Sequence, residues 1–547
     1  MKTLLVVFLL SLPLLSQTDP ALDPPPGAVA GITAERMRAH MSFLADDLLE
    51  GRGTGTRGHE IAARYVQTQF ELLGLKPAGV NGYRQQAPFR SITLVPEQSS
   101  VVLKRNGKST PLKIYEDVLI GGNETSTDVN VEAPAVFVGY GVSAPHLHYD
   151  DYANADVRGK LAVVMYGAPP SFPSAERAHF SSRREKAASA AAHGAIGLVT
   201  IRTAEVEKRY PFRKAARDDR KGAMRWLSPE GVPADAQPQL RANMNLNLAA
   251  APALFEGAAK TYAQAWQDAQ ASRPQSFPLP VTIAVHTVSR HVTVNSPNLA
   301  AVLPGSDPAL RNEYILYTAH LDHLGIGEPV NGDSIYNGAA DNSSGVAGVL
   351  ELARAFTSLP QPPRRSIMFL IVTAEEKGLQ GSDYFAHYPT VPIGQVAANL
   401  NMDELPTLYD FADVVALGSE HSSIGKDVER VAAEMNLQVS PDPAPEEVFF
   451  VRSDQYSLVR QGVPAVDVNS GYKAVDPKID GRQMNEHWEA VHYHQPSDDM
   501  QQQPLDLDAA AKCSQFDFRL GYDLAQKTER PTWNSGDFFG QTFAKTR

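Results

Sequence analysis

The 547-residue chain is poor in cysteine: Cys513 stands alone, so no intrachain disulfide forms and no thiolate cluster is offered to a metal. Basic tracts are also missing. Lys and Arg number 50 against 62 Asp and Glu, a net charge of -12. No run of positive residues neutralises a phosphate backbone, so nucleic acid is not expected as a partner. After residue 20 no apolar stretch is long enough to cross a bilayer. HExxH, GxSxG and a Gly-rich phosphate loop are absent, which removes the one-helix zinc site, the nucleophile elbow and the phosphate cradle. Internal repeats and coiled-coil heptads are absent as well.

The first residues, MKTLLVVFLLSLPLLS, place one Lys before an apolar run ending at Leu15. That reads as a signal peptide over 1–20, cleaved between Ser16 and Ala21, and predicts a periplasmic or extracellular protein with no stable membrane insertion after cleavage. The length predicts two or three domains. After a Pro/Gly/Ala linker, Thr33 is set to cap a helix that buries Met37, Met41, Leu44 and Leu48. Ile61, Tyr65, Phe70 and Leu73 form a second helical face, ended by Gly74. Strand-like segments follow to Ile114, with a turn at Asn106-Gly107. From 115 to 290 the composition changes, and strands near Val136, Val163 and Val199 alternate with Ala-rich helix. Expected domains are therefore 32–114, the N-terminal part of the main domain; 115–290, an inserted α/β domain; and 291–547, the remainder of the main domain. The aromatic tail, TERPTWNSGDFFGQTF, is expected to wrap the outside.

Between Tyr314 and His494 several apolar runs stop at an acid or an imidazole: YILYTAHLDH, IMFLIVTAEEKG and VAANLNMDE. Runs of this kind are parallel strands ending at a polar rim, where open α/β sheets place their chemistry. The fold class is α/β, a mixed and mostly parallel central sheet flanked by helices. His320, Asp341, Glu376, Asp403 and His494 supply two imidazoles and three carboxylates, a set that suits zinc. Five ligands exceed what one tetrahedral catalytic zinc needs. They fit two Zn2+ ions, about 3.5–4 Å apart, with one carboxylate and a water between them. Glu375 neighbours Glu376 at a strand end, so the two point differently, and Glu375 is placed to take the proton of that water as general base. Asp322 is expected to accept the ring N–H of His320, and Asp498 to do the same near His494. His323, His487 and His492 read as surface or supporting residues.

These segments, TAHLDHLG, GAADNSSGVAGVLELAR, TAEEKGLQGSDYF, NLNMDE, RSDQYSLVRQGVPA and YHQPSDD, resemble the M28 family of zinc peptidases, the aminopeptidase Y family. VFVGYGVSAP with DVRGK resembles the protease-associated (PA) domain that one branch of the family carries as an insertion. The resemblance implies a zinc-exopeptidase fold and a secreted di-zinc aminopeptidase that cleaves the first bond of peptides with a free N-terminus. It implies that His320 and Asp403 hold one zinc and Glu376 and His494 the other, that Asp341 bridges, and that Glu375 is the general acid/base. It also implies a cis peptide at Asp341-Asn342. Many relatives have SDH where this chain has Ser453-Asp454-Gln455, so Asp454, Gln455 and Tyr456 become a candidate substrate pocket. The alternatives are a zinc carboxypeptidase or dipeptidase of the same fold, with Arg452 and Arg460 gripping a carboxylate, a glutaminyl cyclase, or a PA-containing receptor without catalysis.

Overall fold

The computed structural model describes residues 24–544, so the expected signal peptide lies outside the described residues. Among the described residues no helix is long and apolar enough to cross a membrane.

The main sheet is built from β1 (Arg84–Leu94), β2 (Ser276–Leu303), β3 (Tyr314–His320), β4 (Ser366–Val372), β5 (Val396–Asn401), β6 (Asp413–Leu417) and β7 (Ala465–Ser470). The spatial order is β1-β2-β4-β3-β5-β7-β6. The central four, β4, β3, β5 and β7, are mutually parallel, and β1, β2 and β6 join antiparallel to their neighbours. β4 reads SIMFLIV without alternation because it is covered on both faces, and all seven residues are buried. Ile367, Phe369 and Ile371 enter the large core under the helices, while Met368, Leu370 and Val372 enter a smaller one on the opposite face. Each such side chain contributes about 1.5–3 kcal/mol through burial.

Helices α1 (Ala34–Leu44), α2 (Arg57–Leu72), α4 (Gly345–Thr357) and α5 (Leu507–Gln526) pack on the large core; α3 is Phe212–Asp219, in the second unit described below. Met37, Met41 and Leu44 of α1 are buried as expected, but Leu48 lies past the helix end in a 3-10 turn and is 79% exposed. In α2 the buried face is shifted towards Gly58, Ala62, Ala63 and Val66, because the helix packs closely enough that a Cβ at Gly58 would sit 1.7 Å from the Leu49 carbonyl oxygen. The tail keeps mostly to the surface, as expected, with one deep anchor. Phe539 is fully buried against Phe450 and Tyr456, where an apolar pocket outcompetes solvent for an aromatic ring.

A second sheet, with its own apolar core, uses strands Ser100–Arg105, Asp128–Val138, Leu161–Met165, Gly197–Ile201 and Ala242–Leu246. The hairpin at 100–112, expected in the N-terminal segment, is hydrogen-bonded into this second sheet through Thr282 to His286. The two segments expected on either side of residue 290 are one 28-residue strand, β2, which runs through both sheets.

Candidate metal centre and its surroundings

Each rim residue stands where a central strand runs out. His320 is the last residue of β3, Glu375 and Glu376 follow β4 after a tight turn, and Asp403 follows β5. The turns are costly: Ala374, Glu404 and His494 all have positive φ (58°, 51° and 58°), a conformation that non-glycine residues hold only when their surroundings enforce it. Asp341 precedes α4, and its bond to Asn342 is cis. A Cβ at Gly345 would lie 2.1 Å from the Met402 carbonyl oxygen, so glycine lets the start of α4 rest directly on the strand that delivers Asp403.

The five expected ligands converge. His320 Nε2 lies 3.0 Å from Asp403 Oδ1 and 3.2 Å from Asp341 Oδ1. His494 Nε2 lies 3.3 Å from Asp341 Oδ2 and 3.2 Å from Glu376 Oε2. Asp341 thus turns one oxygen to each group and is the carboxylate the two share. The sequence did not single out His323, yet its Nδ1 is 2.6 Å from Glu376 Oε1 and 3.7 Å from Asp341 Oδ2, and its ring is buried. Two donor clusters result: His320, Asp341 and Asp403; and His323, Asp341 and Glu376, with His494 beside it.

The donor set fits a pair of cations. His323 Nε2 is buried without a partner, and the close approach of His323 Nδ1 to Glu376 Oε1 does not complete a hydrogen bond for either atom. The carboxylates draw positive charge into the pocket. Burial opposes protonation of His494, yet Glu376 and Asp341 push it up to about 10, and Asp403 and Asp341 likewise hold His320 well above its ordinary range. Glu375 behaves oppositely. Burial, then the nearby Glu376, Asp403 and Asp454 carboxylates, outweigh His320 and keep it well above the usual carboxylate range.

The supporting contacts correct two expectations. The Nδ1 of His320 faces the backbone carbonyl of Asp322 at 3.0 Å, not its carboxylate. The Asp322 carboxylate instead accepts Thr54 Oγ1 at 2.8 Å and the backbone N–H of Glu375 at 3.1 Å, because the turn after β4 presents that N–H to it. Asp498 does not orient His494; it accepts the backbone N–H groups of Ala340 at 2.8 Å and Asp341 at 3.1 Å. Ser453 donates to Asp403 Oδ2 at 2.6 Å. Arg52, also missed in the sequence, is fully buried and donates to the carbonyls of Leu44, Leu321, Asn337 and Gly338, placing a fixed positive charge behind Asp341.

The candidate pocket at 454–456 is tightly engaged. Asp454 is fully buried and pushed up to about 7, chiefly by burial. Gln455 Nε2 donates to the Phe450 carbonyl at 3.0 Å, and the Tyr456 hydroxyl meets His179 Nδ1 of the second unit at 2.9 Å. Arg460 lies 3.2 Å from Asp383, and Arg452 lies 3.5 Å from Glu447 and over the Phe449 ring, so both are already engaged.

Comparison with known proteins follows this geometry. Residues 298–518 match the model of Peptidase family M28. The leupeptin-inactivating enzyme 1 of Streptomyces exfoliatus is 35% identical over 107 residues, covering 19% of this chain and 22% of that protein. A probable leucine aminopeptidase 2 of Aspergillus oryzae is 24% identical over 185 residues, covering 32% of this chain and 34% of that protein. The matched stretches thus span about a fifth to a third of these curated relatives' lengths. Among solved structures, an aminopeptidase from Aneurinibacillus sp. strain AM-1 superimposes with a TM-score of 0.53 at 18% identity, over 93% of this chain and 96% of that one. The central sheet flanked by helices is the M28 zinc-exopeptidase fold. Both donor clusters lie within the matched residues.

Proposed function

We propose that the protein is a di-zinc aminopeptidase that releases the first residue of peptides with a free N-terminus. The observation that carries this reading is the shared carboxylate: Asp341 faces His320 and Asp403 with one oxygen and His494 and Glu376 with the other. His320 and Asp403 would hold one zinc and Glu376 and His494 the other. Bound there, the ions supply Lewis acidity and a nucleophile from water at neutral pH. Glu375, whose raised pKa makes its ionised carboxylate a stronger base than an ordinary glutamate, would take the proton of the attacking water and deliver it to the leaving nitrogen. Asp322 fixes the backbone of Glu375, and Asp498 that of Asp341, so base and shared ligand are both held from the main chain.

Glu404 gives the reading its direction. It follows Asp403 and is half-buried; its backbone N–H donates to Asn342 Oδ1 at 3.3 Å, and its carboxylate has no hydrogen bond or ion pair among the described residues. Burial and then Asp341 and Asp403 raise its pKa well above the usual range, so an approaching ammonium gains by pairing with it. A free α-amine is such a group. The name of the Aspergillus oryzae relative, a probable leucine aminopeptidase, points to the same class of chemistry.

Two further parts of the reading concern the rest of the chain. The second sheet is proposed to be the PA-like insertion of the aminopeptidase Y branch, and residues 1–20 an export signal that delivers the enzyme to the periplasm or the medium. The test of activity is product identification by mass after incubating zinc-loaded protein with peptides whose N- and C-termini are free or blocked. Release of the first residue only from free N-termini is expected. Release from the C-terminus, cyclisation of N-terminal Gln, or no product rejects the proposal.

A further inference from the structure

We propose that Lys214, Arg217 and Lys221 of the second unit bind the free C-terminal carboxylate of a short peptide. The enzyme would thereby be selective for dipeptides; this rests on the aminopeptidase reading above.

Helix α3 (Phe212–Asp219) packs beside the segment that carries His494. Lys214 Nζ donates to the backbone carbonyl of Tyr493 at 3.1 Å, and Arg217 Nη1 to Gln495 Oε1 at 3.3 Å, so the helix grips both neighbours of His494. Tyr493 in turn stacks on the His494 ring at 3.9 Å. On the other flank, Arg217 and Lys221 sit 5.9 and 4.4 Å from the ring centre of Tyr336, which leads into the Asp341 loop. Arg220 is turned elsewhere, to Glu328 at 3.2 Å and the Tyr115 ring.

Charge around the helix is unbalanced. Asp218 lies 3.3 Å from Lys221 and 3.7 Å from Arg217, but it also accepts the Tyr210 hydroxyl. Arg217 Nε and Nη2, Lys221 Nζ and Asp218 Oδ1 are buried atoms that complete no hydrogen bond, although Asp218 Oδ1 stands at ion-pair distance from Arg217 Nε and Lys221 Nζ. Lys377, directly after Glu376, stands within electrostatic reach of Lys221 and Asp218. Burying donors of this kind without acceptors is unfavourable, and a carboxylate offers several lone pairs at once. The unused edge of a guanidinium matches a carboxylate in a paired, planar contact. Each added residue moves a peptide's terminal carboxylate by about 3.3–3.6 Å, so a fixed cationic cluster beside a fixed cleavage point measures length.

The test compares zinc-loaded enzyme on Leu-Gly, Leu-Gly-NH2, Leu-Asp-NH2 and Leu-Gly-Gly-Gly. Leu-Gly is expected to exceed Leu-Gly-NH2 in kcat/KM by about tenfold or more, mainly through KM. The double substitution R217Q/K221Q is expected to collapse that ratio towards one. Equal rates for acid and amide overturn the subsite, as does Leu-Asp-NH2 matching Leu-Gly, which would assign the cluster to an acidic side chain. If the double variant does not fold, the acid-to-amide ratio of the unaltered enzyme still decides. Calorimetric binding of Leu-Gly and Leu-Gly-NH2 to zinc-loaded E375Q reads the same preference without turnover. No release of leucine from any peptide, together with tighter binding of the acid, rejects the aminopeptidase reading and leaves the subsite standing.

Discussion

Asp498 accepts the backbone N–H of Asp341 at 3.1 Å, so the carboxylate that faces both donor clusters is itself held from behind by another. Asp498 also takes the N–H of Ala340, and Arg52 donates to the carbonyl of Gly338, so the whole approach to Asp341 is fixed by buried polar contacts. Removing one acceptor should loosen the shared ligand without touching either cluster. D498N is expected to weaken zinc binding by about 10–100-fold, as measured by competition with a chromophoric chelator. Unchanged affinity would show that the loop holds its shape without Asp498.

Glu375 is separated in role from Glu376 by the turn that follows β4. E375Q is expected to lower kcat by at least about a hundredfold while the zinc content per chain stays that of the unaltered protein. Chelation should abolish the activity of the parent enzyme, and added zinc should restore it. Loss of zinc from E375Q in parallel with activity would reassign Glu375 as a ligand, and activity that survives exhaustive chelation would reject the metal mechanism.

Under the proposed function Glu404 pairs with the substrate amine and not with the ions. E404Q should raise KM by about tenfold or more for a peptide with a free N-terminus, with a smaller change in kcat and unaltered zinc content. Unchanged KM would leave the amine without this partner.

His59 belongs to neither donor cluster and is buried between Ser296 Oγ at 3.2 Å and Thr373 Oγ1 at 3.0 Å. Burial, then Arg52 and Arg84, pull its pKa from 6.5 down to about 3. The folded protein therefore keeps this ring neutral between those values, while the unfolded chain protonates it. Stability is lost as pH falls from 6.5 towards 3, with a slope of up to about 1.4 kcal/mol per pH unit from this group. Denaturant unfolding at pH 7, 6, 5 and 4 should show H59Q losing less stability on acidification than its parent. Other acids titrate in both proteins, so parallel curves would reject the assignment.

The rim of the sheet was legible in the sequence because its residues end apolar runs. His320, Glu376 and Asp403 stop β3, β4 and β5, and no packing demand explains charge there. Arg52 and Glu404 were not legible. Arg52 sits among glycines, and its partners Leu321, Asn337 and Gly338 lie 269 to 286 residues away, beyond any local pattern. Glu404 reads as one more surface acid until the turn after β5 buries it. His323 was overshadowed by His320, three residues earlier, and only the fold shows that both rings face inward. Asp322 and Asp498 were placed in the right neighbourhood but given the wrong contacts, since spacing says nothing about which main-chain N–H a turn presents. The middle of β2, TVSRHVTVNS, resembles a loop because many of its side chains meet solvent, and strand pairing through the backbone carries no such signature.

The unbroken course of Ser276–Leu303 sets how the two units move. One half of the strand is laced to Asp128–Val138 and the other to Arg84–Leu94 and β4, next to the strand that ends in His320. Swinging one unit against the other would have to bend a strand laced to a neighbour along almost its whole length, breaking ladder bonds as it went. The connection is thus a stiff lever in place of a hinge, and the two sheets share one frame instead of a flexible linker.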